Sequence, residues 1–89
     1  MINIQAENLI ELWMHNSIGA KEDFDVMIIE FLETLNQNIP IYEVLQDAIN
    51  AAAARVTAFP DDIALQLSYK AFNSSLEYQL QFWKNMVGA

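Results

Sequence analysis

The sequence predicts an all-α fold, a small four-helix bundle with a long C-terminal helix, and three observations carry that reading. Apolar residues recur every three or four positions over long stretches, the spacing that lines one face of a helix. Glycine and proline occur only twice each in 89 residues, too few for a loop-rich sandwich or barrel. Val, Ile and Thr never alternate with polar residues over a strand length, and no Asn-Gly or Asp-Gly hairpin turn occurs.

Three breaks divide the chain, which is expected to form one helical domain over 1–89. They fall at Asn16–Ala20, where Gly19 suits a helix end, at Asn36–Pro40 and at Phe59–Asp62. Proline is excluded from a helix interior and suits its first turn. The predicted helices are therefore 3–16, 21–36, 40–58 and 61–87.

The first places Ala6, Leu9, Ile10 and Trp13 on one face and Glu7, Glu11 and His15 on the other. In the second, Glu22, Asp23 and Asp25 favour the positive end of the helix dipole. Its buried stripe is expected to be Phe24, Met27, Ile28, Phe31, Leu32 and Leu35. The third repeats the pattern with Ile41, Leu45, Ala48, Ile49, Ala52 and Val56, and the small side chains of Ala51–Ala54 permit a close helix neighbour.

The fourth helix differs. At about 100° per residue, Leu65, Tyr69, Phe72, Leu76, Leu80, Trp83 and Val87 form one stripe. Ala64, Leu67, Ala71, Tyr78 and Phe82 form a second, nearly opposite. A terminal helix of a small bundle needs one buried stripe, so the second is expected to meet a partner; the alternative is a helix central to its own bundle. Leu67, Ala71, Tyr78 and Phe82 are its predicted interface residues, with the aromatics as anchors.

Composition points the same way. The chain is 54% hydrophobic, too apolar for a disordered acidic tail despite a formal charge of −8. A chain of this length buries only about 60–65% of its unfolded surface, and small domains commonly rely on disulfides, a metal or a partner. With no cysteine, disulfides and thiol catalysis are excluded. A homo-oligomer, dimer or larger, or another protein partner is the expectation.

The charge is split unevenly. Nine acids (Glu7, Glu11, Glu22, Asp23, Asp25, Glu30, Glu33, Glu43 and Asp47) against Lys21 leave the first fifty residues at −8. Three acids against three bases leave the remainder neutral. Such acidity disfavours nucleic acid and anionic lipid. No stretch has the roughly 18 apolar residues of a membrane span, and no signal peptide is visible at Met1–Glu7. The expected location is the cytoplasm, or outside the cell by a nonclassical export route.

Neither an enzyme nor a bound cofactor or metal is predicted. His15 is the only histidine; with Glu11 one turn away it supplies at most two ligands of the three or four a metal needs. His15 and Gly19 share the spacing of a histidine phosphotransfer motif without its intervening lysine and leucine, and a surface histidine at a helix end explains it. Asp23 and Asp25 lack the glycine and terminal glutamate of a calcium loop, and Asp61 and Asp62 read as helix caps. Ser74-Ser75 has no nucleophile elbow, and two glycines cannot build a phosphate loop.

From Pro60 onward the chain resembles a family. Pro60-Asp61-Asp62-Ile63-Ala64-Leu65, Tyr69, and Glu77-Tyr78-Gln79-Leu80 resemble the Pro-x-Asp turn, Ala-Leu pair, following aromatic and Glu-Tyr-Asn-Leu-like stretch of type III secretion needle and inner-rod subunits. Lys84 falls where those subunits carry a lysine. The resemblance implies a bacterial secretion-apparatus subunit or accessory protein in which Pro60, Leu65, Tyr69 and Tyr78 are turn and packing residues. It covers residues 60–85 and leaves the acidic first half without a counterpart. The run from Phe59-Pro60 to Gln81-Phe82-Trp83-Lys84 is also similar to helices of phasin-like proteins, which coat polyester storage granules.

The functional expectation is a non-catalytic assembly protein that associates through the apolar face of its last helix. An alternative is an acidic phage or bacterial inhibitor that occupies a basic site on its target through residues 7–47. A polyester-granule surface protein stands third.

Overall fold

The computed structural model describes residues 3–16, 21–36 and 38–87, with residue 87 described by its backbone alone. The described residues form four helices and no strands: α1 (Ile4–His15), α2 (Lys21–Glu33), α3 (Ile41–Ala58) and α4 (Ile63–Val87). They assemble as a small all-α bundle. The break at Ser17–Ala20, with the expected role of Gly19, lies outside the described residues, as does Gln37.

The helices are shorter at their ends than the sequence predicts, because capping residues stand just outside them. Asn3 caps α1, its Oδ1 accepting from the amides of Gln5 and Ala6 at 3.1 Å each. Pro40 likewise precedes α3 instead of opening it. Asp62 caps α4: its Oδ1 accepts from the Leu65 amide at 3.0 Å, while Asp61 remains in the turn. After Glu33, the amides of Thr34 and Leu35 donate three residues back to Phe31 and Leu32, so α2 tightens and stops short of residue 36.

The 25 residues of α4 span about 37 Å at 1.5 Å per residue, close to the 40 Å longest dimension of the molecule. It is the spine of the fold, with α3 and α2 packed along it. The Gln66 amide group secures the α3–α4 turn by donating to the Val56 and Phe59 carbonyls, both at 3.0 Å. α1 lies across this hairpin, from Asn3, which donates to Asp47 of α3 at 3.0 Å, to Trp13, which donates to Ser68 of α4 at 2.9 Å. Phe24, early in α2, meets Phe72 of α4, whereas Ile29 and Leu32 lie beside Tyr78 and Phe82, so α2 and α4 run in the same direction.

An aromatic stack fills the centre. Trp13 is fully buried and lies flat on Phe72, with centroids 4.8 Å apart and an 8° interplanar angle. Phe24 meets the same ring edge-on at 5.6 Å. Around it pack Leu9 and Ile10 of α1, Ile28 and Leu32 of α2, Leu45, Ala48, Ala52 and Val56 of α3, and Leu65, Leu76 and Leu80 of α4. Each lies on the face that helical periodicity assigned to the core. Val44, missed because it lies one place from the predicted stripe, is also buried.

Candidate functional site

The second stripe of α4 faces solvent along most of its length. Leu67, Tyr78 and Phe82 are 62%, 68% and 51% exposed, and Ile63 and Met86 extend the exposed surface toward the two ends. Ala71 departs from the expectation of an exposed interface residue. It is half-buried and packs against the core, because α2 begins alongside this part of α4. Its small side chain stands between an N-terminal patch (Ile63, Leu67) and a C-terminal one (Tyr78, Phe82, Met86).

The C-terminal patch borders a groove of about 420 Å³. α4 supplies one wall with Tyr78, Gln79, Phe82 and Trp83, and α2 supplies the other with Ile29, Leu32 and Glu33. Ile41 at the start of α3 closes the end. Phe82 and Trp83 meet edge-to-face at 5.8 Å, which fixes both rings without covering either. Glu33, exposed at the last position of α2, is the one charged group in the lining. An apolar trough with an aromatic wall is suited to accept another apolar side chain or helix face.

Trp83 belongs to both surfaces. Periodicity assigned it to the core stripe, and it packs half-buried against the core while also lining the groove. Sequence reasoning missed Ile29, which is exposed although it neighbours the buried Ile28. A β-branched apolar residue outside the α2 stripe was the available signal.

The acidic residues of the first half occupy three helices. Glu7 and Glu11 on α1, Glu22, Asp23, Glu30 and Glu33 on α2, and Glu43 and Asp47 on α3 are all exposed. Asp25 departs from this set. It is only partly exposed and forms an i,i+4 ion pair with Lys21 at 3.1 Å. Its Oδ1 is buried and makes no hydrogen bond of good geometry. The fully buried Ser75 donates to the Lys21 carbonyl at 3.4 Å, a long bond from a hydroxyl that can also turn its proton toward the carboxylate.

Burial alone pushes the Asp25 carboxyl up, but the Ser75 hydroxyl and the Lys21 ammonium together hold it below its ordinary 3.8. A carboxyl depressed in the folded state contributes stability above its unfolded pKa and loses it as pH falls through the folded value. Asp25→Asn should therefore lower the melting temperature by a constant amount well above pH 3.8, and the gap should close below it. Thermal melts of both proteins across that range check this; a gap that persists in acid would place the effect in packing.

His15 ends α1 in an exposed position. Among the described residues, no three His, Asp or Glu side chains converge as a metal site would require. No helix among them is long and apolar enough to cross a membrane. Compared with family models, curated proteins and solved structures, the chain matches none.

Proposed function

We infer that this protein acts by association and not by catalysis, joining copies of itself through the exposed face of α4. One observation carries the reading: Leu67, Tyr78 and Phe82, on a single stripe, remain more than half exposed after the bundle has formed its core. Leaving large apolar side chains in water forgoes roughly 1.5–3 kcal/mol each, and a contiguous patch of them marks a contact surface. The resemblance to secretion needle and rod subunits runs through this same helix and suits a polymerising or accessory subunit.

Phe82→Asp tests the reading, because residue 82 rims the groove and takes no part in the buried core. A charge at an aromatic anchor should weaken association by about 2 kcal/mol, roughly 30-fold in Kd. Sedimentation should show a shift toward the monomer mass while the far-ultraviolet spectrum stays helical. A variant that keeps the wild-type mass would overturn self-association through α4.

The exposure of eight acidic residues favours a second reading, an inhibitor that engages a basic target. Salt separates the two. Apolar self-association should persist from 0.05 to about 1 M salt, whereas an acidic contact weakens as the Debye length shrinks from above 10 Å to about 3 Å.

A further inference from the structure

We propose that the occupant of the groove is α4 of a second copy, packed antiparallel about a two-fold axis that passes between residues 73 and 74. The proposal rests on self-association through α4 and specifies its geometry. In this register, residue r of one copy lies opposite residue 147 − r of the other.

Apolar spacing supports the arrangement. Leu67 falls opposite the interval between the partner's Tyr78 and the partner's Phe82. Ile63 falls opposite the interval between the partner's Phe82 and the partner's Met86. Each aliphatic residue of the N-terminal patch thus meets a gap between i and i+4 side chains, as in knobs-into-holes packing. Symmetry repeats both contacts. Ala71 and the exposed Ser74 lie at the crossing, where small side chains let two helices approach. Ile63, Leu67, Tyr78, Phe82 and Met86 of α4, with Ile29 and Phe59 beside them, are 41–73% exposed. Seven such side chains supply apolar area of the order a standard interface buries, about 800 Å² per partner.

Charge fixes the direction. Two chains of −8 repel, but the exposed polar edge of α4 carries Lys70, Glu77 and Lys84, and the excess acid lies on the other helices. Antiparallel packing sets Lys70 opposite the partner's Glu77 and brings Lys84 to the partner's Asp61 beyond the N-terminus of α4. Parallel packing would put this edge of the two copies on opposite sides of the seam, lose both pairs and align the helix dipoles.

The chain has no cysteine, so one introduced thiol carries a single nitroxide per copy. Gln81→Cys and Asn85→Cys are both exposed positions on α4. At 1.5 Å per residue, axial separations across the dimer should be about 22 Å at residue 81 and about 34 Å at residue 85. Electron paramagnetic resonance should therefore read a distance that grows by about 12 Å between the two sites. Equal distances would mean parallel packing and overturn the proposal while leaving self-association intact. A monomeric wild type, or a dimer that survives Phe82→Asp, would overturn both.

Unlabelled charge variants give an independent readout. Lys70→Glu should weaken the dimer about tenfold by facing carboxylates in two symmetric pairs, and adding Glu77→Lys should restore it. Failure of the second change to restore affinity would overturn the register.

Discussion

Trp13→Ala should cost about 3–5 kcal/mol of folding stability, the range for emptying a large buried aromatic site. The indole is fully buried, stacks on Phe72 at 4.8 Å and donates its N–H to Ser68 at 2.9 Å. Removing it withdraws the one side chain of α1 that reaches into α4 by both ring stacking and a hydrogen bond. The hole opens between α1 and the α3–α4 hairpin, at the centre of the core. The Ser68 hydroxyl also loses its buried partner. For a domain of this size each kcal/mol lowers Tm by about 4–8 °C, so the variant should melt far below the wild type or fail to fold at 37 °C. Trp13→Phe keeps a stacked ring and should lose clearly less. Equal losses in the two variants, measured by chemical denaturation, would mean that the indole N–H and its extra volume decide the site and the stack does not.

Ala52→Leu should destabilise by up to about 3 kcal/mol, with a helical but loosened product. Ala48 and Ala52 are both fully buried one turn apart on α3, the helix that contacts both α1 and α4. A core at crystal-like density has no room for three more carbons without moving a helix. Ala54, in the same alanine run, is exposed, and Ala54→Leu should stay within about 0.5 kcal/mol. Urea unfolding of the pair checks the contrast. Similar midpoints for both variants would show that the close approach at Ala52 can relax.

Much of this was readable in the chain. All four α1 residues assigned to the core are buried, and Leu65, Phe72, Leu76 and Leu80 of α4 lie on the inward stripe as expected. Where α2 ends was less readable, because a residue at 34–36 keeps the periodicity of the helix after the backbone has tightened out of it. Ser68, Ser75 and Gln79 were the larger omission. They are buried although polar, and nothing local to them says so. Ser68 can enter the core because Trp13, 55 positions away, brings a donor to it.

By itself the sequence determined four amphipathic helices, the approximate places where they break, an acidic first half and a last helix apolar on two sides. These follow from the 3.6-residue period and from residue chemistry that acts within a turn or two. Only the tertiary structure decided which neighbour covers which arc of α4. Placing α2 beside α4 half-buried Ala71, drew Asp25 toward Ser75, and left Tyr78 and Phe82 as one wall of a groove instead of part of an even stripe. A helix fixes the angles of its own side chains. Which of them meet water depends on where the other helices cross it, and that is settled by packing between residues distant in the chain.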